Sequence, residues 1–519
     1  LTKNVVSNVS AYVVSIILSF IIAPITVHTL GDARYGAWTL VSELIGYYSL
    51  LDLGIRGAVT YYIAKTRAEA DEASERSTLA TAFWLLCASG AVVLVVGIML
   101  TYAFPHLLKA EELTNILEVQ RTFLIMSLLI AVTLPMETFS AVLGGLQRFD
   151  LDSIADISSR ILSGIGFYIS LKSGWGLIGL ALVLAITRVI YWCLTVTFVC
   201  KALGGIYLQP STFSMERVKA ITSYGSRNLV TLLSQLIIRR LDLIVTTFFV
   251  GVSFVTYYSL GGTLAFYATT FCSSIVFVFT PRFTDLYSRS AHDELEKLYI
   301  SSTRMVGMPT VGLVVGILLF SHWFLRLWVG AKYVSGPWMY RSDVVSCILI
   351  AGYLPRLLHG TSWQLLAATA RVRFLMWLNL GEAIANFTLS VILVHYFRLA
   401  GIAIGTLVPM LVSYLIIMPV FVARTFKIPY GRIVKKAFAA PIAIGLATAI
   451  IGGVTISLKP PLSWAWFVVD TLFVALCGIS LSWFTGLSRD ERRQFLLRFG
   501  ISSEGLEEAS WNAEQEAIK

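Results

Sequence analysis

Apolar stretches of about 20 residues, each closed by a short polar break, recur along the 519-residue chain. An apolar helix of about that length crosses the hydrocarbon core of a bilayer. The pattern predicts fourteen spans, beginning with 5–30, 37–64 and 79–104 and ending with 399–424, 436–457 and 463–486. The expected class is therefore an all-α membrane protein of about fourteen transmembrane helices. None of the connections is long enough to hold a separate soluble domain. The first apolar stretch is long and lacks a small-residue cleavage site, so it reads as a span and not as a signal sequence.

The pattern also repeats. Leu30-Gly31-Asp32-Ala33-Arg34-Tyr35-Gly36-Ala37-Trp38-Thr39-Leu40 is followed 220 residues later by Val250-Gly251-Val252-Ser253-Phe254-Val255-Thr256-Tyr257-Tyr258-Ser259-Leu260. Glycine, an aromatic, a small hydroxyl residue and leucine recur in register. The glycines of Gly174-Trp175-Gly176-Leu177-Ile178-Gly179 return in Ala400-Gly401-Ile402-Ala403-Ile404-Gly405. Two six-helix halves of the same orientation follow, with two further helices behind them. The expected division is 1–203 for the first lobe, 204–221 for a cytoplasmic linker, 222–426 for the second lobe, 427–487 for spans 13 and 14, and 488–519 for a tail. Parallel repeats of this kind place a substrate cavity at their interface, near the bilayer midplane.

Composition agrees with the pattern. Charged residues make up only 13% and apolar residues 57%, with a mean hydropathy of +0.77. A net charge of +10 raises the question of nucleic acid, but the basic residues are spread through short loops instead of gathered in one patch. Their distribution carries different information. Loops on the side of the termini hold 25 Lys and Arg, and loops on the opposite side hold nine. That bias places both termini in the cytoplasm. The tail segment Arg489 to Phe499 is basic and amphipathic, as expected for a helix on the anionic inner leaflet. The six cysteines lie singly in apolar stretches without metal spacing.

Charges inside spans are costly and mark partners, cavities or ligands. The cations are Arg56, Arg160, Arg188, Arg239, Arg240 and Arg356, with His359 close to the last. Guanidinium stays charged and offers a planar fork to phosphate oxygens, so these arginines suit an anionic, phosphate-bearing cargo. The candidate substrate-binding set is Arg239, Arg240, Arg56, Arg188 and Arg356. Arg160 lies near a span end, where it can reach the interface. Adjacent Arg239 and Arg240 point about 100° apart on a helix, so one faces the cargo and the other a neighbour. The intramembrane carboxylates are Asp52, Asp242, Glu137 and Glu382. Asp52 sits four residues from Arg56, and Asp242 three from Arg239, which suits local ion pairs. Glu137 and Glu382 have no such neighbour and are candidates for proton or sodium coupling.

On these residues the chain resembles the polysaccharide-transporter branch of the multidrug/oligosaccharidyl-lipid/polysaccharide exporter superfamily, the Wzx-type flippases. The resemblance is carried by Asn8-Val9-Ser10, Leu30-Gly31 through Trp38, Leu50-Leu51-Asp52-Leu53-Gly54-Ile55-Arg56, and Gly144-Gly145-Leu146-Gln147-Arg148. It implies two six-helix lobes in a V, a cavity open alternately to each side, and movement of polyprenyl-diphosphate-linked sugars to the outer leaflet. Fourteen spans are similar to MurJ-like lipid II flippases, yet the first span lacks their arginine. It also lacks the acid common in drug exporters.

The expected function is a non-enzymatic flippase in the inner membrane, acting as a monomer. Its partners would be the lipid-linked oligosaccharide, the bilayer, and the polymerase or glycosyltransferases of the same pathway. No cofactor is implied beyond a proton or sodium gradient. The alternatives are a proton- or sodium-coupled multidrug exporter of the same fold and a membrane glycan polymerase or ligase. A basic intramembrane excess disfavours cationic drugs, and the longest outer loop, 329–343, carries no clustered acids for glycan chemistry.

Overall fold

The computed structural model describes residues 2–47, 52, 54–107, 116–205, 208–487 and 492. Side chains are described for these except 2–13, 104–107, 211 and 224–240. Among the described residues the structure is helical throughout, without strands. Two compact units divide the chain. One comprises Leu1–Leu260, Ser335–Ser342 and Met376–Thr406, and the other Gly261–Val334, Asp343–Leu375 and Leu407–Lys519.

The first unit contains α1 (Thr2–Tyr47), α2 (Ile55–Ala68), α3 (Glu72–Leu107), α4 (Ile116–Gly145), α5 (Phe149–Lys172), α6 (Gly176–Leu203) and α7 (Met215–Phe249). It also takes the start of α8 (Val252–Phe277) and the middle of α13 (Val372–Val412). The second contains the rest of those two, with α9 (Thr280–Ser288), α10 (His292–Trp328), α11 (Ser342–Leu358), α12 (Gly360–Ala368), α14 (Met418–Phe426), α15 (Tyr430–Ile433), α16 (Ala439–Leu458) and α17 (Trp464–Leu481).

By length and apolarity nine helical stretches among the described residues can cross a membrane, or ten with the bent pair α11–α12 counted as one span. That number is smaller than fourteen in part because helices are joined across breaks. Gly31 (φ 74°) interrupts α1, and Arg398 (φ 51°) interrupts α13.

The outer surface of the bundle is apolar, and its mainly apolar interior also buries hydroxyl groups. Large apolar side chains such as Leu458, Ile450, Met99 and Phe277 are exposed, while Thr78, Thr81, Thr122, Thr138 and Thr195 are buried. In lipid no water is present to satisfy a backbone or hydroxyl group. Thr122 and Thr195 answer this locally, donating to the Glu118 carbonyl at 2.7 Å and to the Tyr191 carbonyl at 3.1 Å, whereas Thr138 Oγ1 has no partner among the described residues.

Both glycine motifs of the sequence repeat serve close helix approach. A Cβ on Gly179 would lie 2.1 Å from Ser170 Oγ, and one on Gly405 would lie 2.3 Å from Ser390 Oγ. Each half thus folds a helical hairpin with glycine against serine. The other repeated segments meet one another: Thr256 donates to the Asp32 carbonyl at 2.7 Å, and a Cβ on Gly36 would lie 2.1 Å from the Val252 carbonyl oxygen.

Candidate functional site

Charged and polar side chains gather at two places in the first unit. The first lies among α2, α4, α5 and α6. Gly54, in the left-handed region at φ 72°, starts α2, and the Asp52 carboxylate accepts the Arg56 backbone N–H at 3.3 Å. Asp52 therefore caps a helix start, where the dipole favours an anion. The Arg56 guanidinium reaches across to α4 and pairs with Glu137 at 3.2 Å. Arg56 is about half exposed and Glu137 mostly covered. Asp152 and Tyr191 complete the electrostatic surroundings of Arg56. The Tyr191 hydroxyl donates to Asp152 at 2.8 Å, and Arg188, one turn before it on α6, lies over the Tyr191 ring at 5.4 Å. Three carboxylates thus stand against two guanidinium groups. Arg160, on α5, is held by Asp156 at 2.6 Å and by Ser15 at 3.0 Å.

The second place joins α7, α8 and α13. Asp242 is buried and its Oδ2 accepts hydrogen bonds from the Tyr258 hydroxyl at 2.6 Å and the Thr406 hydroxyl at 2.9 Å. Asn386 in turn donates to Thr406 at 2.7 Å. Asp242 Oδ1 and Asn386 Oδ1 have no hydrogen-bond partner among the described residues. Two buried oxygens without a protein partner are expensive, because burial takes them out of bulk water. A carboxylate, an amide oxygen and a hydroxyl form an all-oxygen donor set, which suits a hard cation or a proton. Asn379, Glu382 and Ser390 lie with Asn386 on one face of α13 and all are buried.

The structure places the sequence candidates as follows. Asp52, Arg56, Glu137 and Arg188 share one cluster. Asp242 belongs to the other, with Glu382 one turn from Asn386 on the same helix. Arg239 and Arg240 lie on α7, and their side chains are outside the described residues. Arg356 is in the second unit, 5.8 Å above the Tyr414 ring. His359 starts α12 after the 43° bend, buried, 3.0 Å from Ser362 Oγ and 4.8 Å from the Phe438 ring.

Sequence reasoning passed over Asp152, Tyr191, Tyr258, Asn386 and Thr406. The spacing 379, 382, 386, 390 was a usable signal, since polar residues at helical period within an apolar span mark an inward face. The partners on α5, α6 and α8 had none. A further missed residue is Glu118, which binds Arg34 Nε at 2.9 Å and accepts the Leu177 N–H at 2.8 Å, anchoring the start of α6.

A helical bundle of long apolar helices that exposes large apolar side chains and buries charged and hydroxyl groups in its interior is a multi-pass membrane protein. Its architecture is shared by solved transporters. Lipid II flippase MurJ in an inward closed conformation superimposes with a TM-score of 0.68 at 13% identity, over 93% of this chain and 98% of that one. An inward-facing multidrug resistance MATE family transporter of the MOP superfamily gives 0.67 at 14% identity, over 79% and 94%. Residues 1–287 match the polysaccharide biosynthesis protein family, and the chain belongs to it. A putative O-antigen transporter of Shigella flexneri is 20% identical over 413 residues, 78% of this chain and 93% of the relative.

Proposed function

We propose that this protein flips a polyprenyl-diphosphate-linked oligosaccharide from the cytoplasmic to the outer leaflet of the cell membrane, by alternating access. Family membership carries this reading, since it ties the transporter fold to polysaccharide biosynthesis. Guanidinium groups within spans supply the chemistry for a diphosphate. Arg56 is the best described of them: half exposed and pairing with one carboxylate. A charge in a membrane cannot be left uncompensated at either stage of a cycle. Arg56 would therefore trade Glu137 for a phosphate when cargo arrives, and take Glu137 back on release. Arg188, Arg239, Arg240 and Arg356 complete the set of cargo-facing candidates. Asp242, with Asn386 and Thr406, is the place for a coupling proton or sodium ion, and Glu382 stands on the same face. The excess of Lys and Arg in the terminus-side loops supports cytoplasmic termini.

Two experiments test the reading. The full chain, purified from a membrane that makes such glycans, should carry a polyprenyl-diphosphate glycan detectable by mass spectrometry. Retention of no such lipid, together with drug resistance on expression, would replace this reading with that of a multidrug exporter. The double variant Arg239→Ala, Arg240→Ala should abolish transport with expression intact. Unchanged flux would remove these two arginines from the site.

A further inference from the structure

A cavity of about 400 Å³ lies in the second unit, where α10 faces α15 and the turn after it. That volume is within the roughly 300–1,000 Å³ of small-molecule sites. Asp293, Glu296, Lys297 and Arg304 line it from α10, at intervals that keep them on one helix face. Arg432 and Lys436 line it from the other side. Arg432 holds Glu296 at 2.6 Å, so one carboxylate is already neutralised. The lining carries four cationic side chains and two carboxylates, so its formal charge is positive.

Its construction is local. The stretch Val434–Phe438 is a π-helical turn, a widened turn frequent at functional sites. It carries Lys436 to the cavity beside Arg432. Just past Arg304, α10 and α16 close tightly: a Cβ on Gly307 would lie 2.9 Å from Pro441 Cγ. The cavity therefore has a floor. Arg304 is twelve residues into α10, about 18 Å along the helix, and sits where the apolar part of the helix begins. The acidic Asp293 is in the first turn of α10. The cavity also adjoins the 424–436 loop, the most basic connection in the chain.

We infer that this cavity binds the phosphate headgroup of an acidic bilayer phospholipid. Lys297 and Lys436 meet the phosphodiester at the polar end of α10, and basic pockets between membrane helices recognise such headgroups. The site is independent of the cargo reading. A lipid held there would fix α10 to the segment that leads into α16.

The test uses the full chain in phosphatidylcholine nanodiscs containing phosphatidylglycerol. Native mass spectrometry should show phosphatidylglycerol enriched on the protein. Lys297→Gln, Lys436→Gln should lower that enrichment on the order of tenfold, with thermal stability in pure phosphatidylcholine unchanged. Lys435→Gln, which removes a charge next to the cavity but not from its lining, should leave enrichment intact. Equal enrichment in the double variant would overturn the site, and so would an equal loss in Lys435→Gln. Displacement of phosphatidylglycerol by millimolar inorganic phosphate would overturn the lipid assignment.

Discussion

Glu137 and Asp242 are both carboxylates in membrane helices, but their surroundings differ. Glu137 faces a guanidinium, and Asp242 faces a phenol and a hydroxyl. If Glu137 is the competitor that releases cargo from Arg56, Glu137→Gln should keep the fold and strengthen cargo retention while lowering transport at least tenfold. Co-purified lipid and reconstituted flux, measured on the same preparation, check this. A parallel fall in both would make Glu137 only a support for Arg56. At Asp242, replacement by Asn removes the charge and keeps the shape. Transport by Asp242→Asn should lose its dependence on the proton or sodium gradient, as followed by flux at varied gradient. Tyr258→Phe removes one hydrogen bond to a charged acceptor, worth about 1.5–3 kcal/mol. It should shift that dependence without abolishing it.

Among the elements, the hairpins show where the fold has no tolerance. Ser390 and Gly405 bring the two arms of α13 into contact across the break at Arg398. A methyl at 405 would lie 2.3 Å from Ser390 Oγ and 2.6 Å from its backbone nitrogen. Overpacking of this kind costs about 1–3 kcal/mol. At Gly381, on the same helix, a methyl would meet nothing within 4 Å. Gly405→Ala should therefore lower the melting temperature, whereas Gly381→Ala should leave it unchanged or raise it slightly, since alanine favours a helix by about 0.5–1 kcal/mol. A thermal scan of the two variants distinguishes local crowding from a general effect of losing glycine. The α11–α12 bend is different. There His359, Ser362 and Tyr299 form a hydrogen-bonded group, with Tyr299 and Ser362 2.8 Å apart, that ties the bend to α10.

At the scale of the whole molecule, sidedness is the property to test. Gly431 and Lys332 are both exposed and belong to loops assigned to opposite sides. Gly431→Cys should react with a membrane-impermeant maleimide only from the cytoplasmic side, and Lys332→Cys only from the other. Labelling of both from one side would overturn the loop assignment.

Much of this protein was legible in its sequence. Apolar length gave a membrane bundle because a bilayer leaves the backbone few ways other than helices to satisfy its polar groups. The 220-residue repeat located the paired glycine segments because close packing demands the same small residues in both halves. Intramembrane arginines stood out because their cost is visible without coordinates. Pairing was another matter. Local spacing suggested Asp52 as the ion-pair partner of Arg56, yet the guanidinium meets Glu137, 81 residues away in sequence, and Asp52 serves the helix start. Asp242 found its hydroxyl partners on α8 and α13. The cavity between α10 and the 432–436 turn also joins segments more than a hundred residues apart. The sequence by itself determined the solvent, the element type and the inventory of charges, since these follow from residue chemistry and helical period. The tertiary structure alone decided which charge answers which, because a side chain's partner depends on how distant helices are packed and turned toward one another.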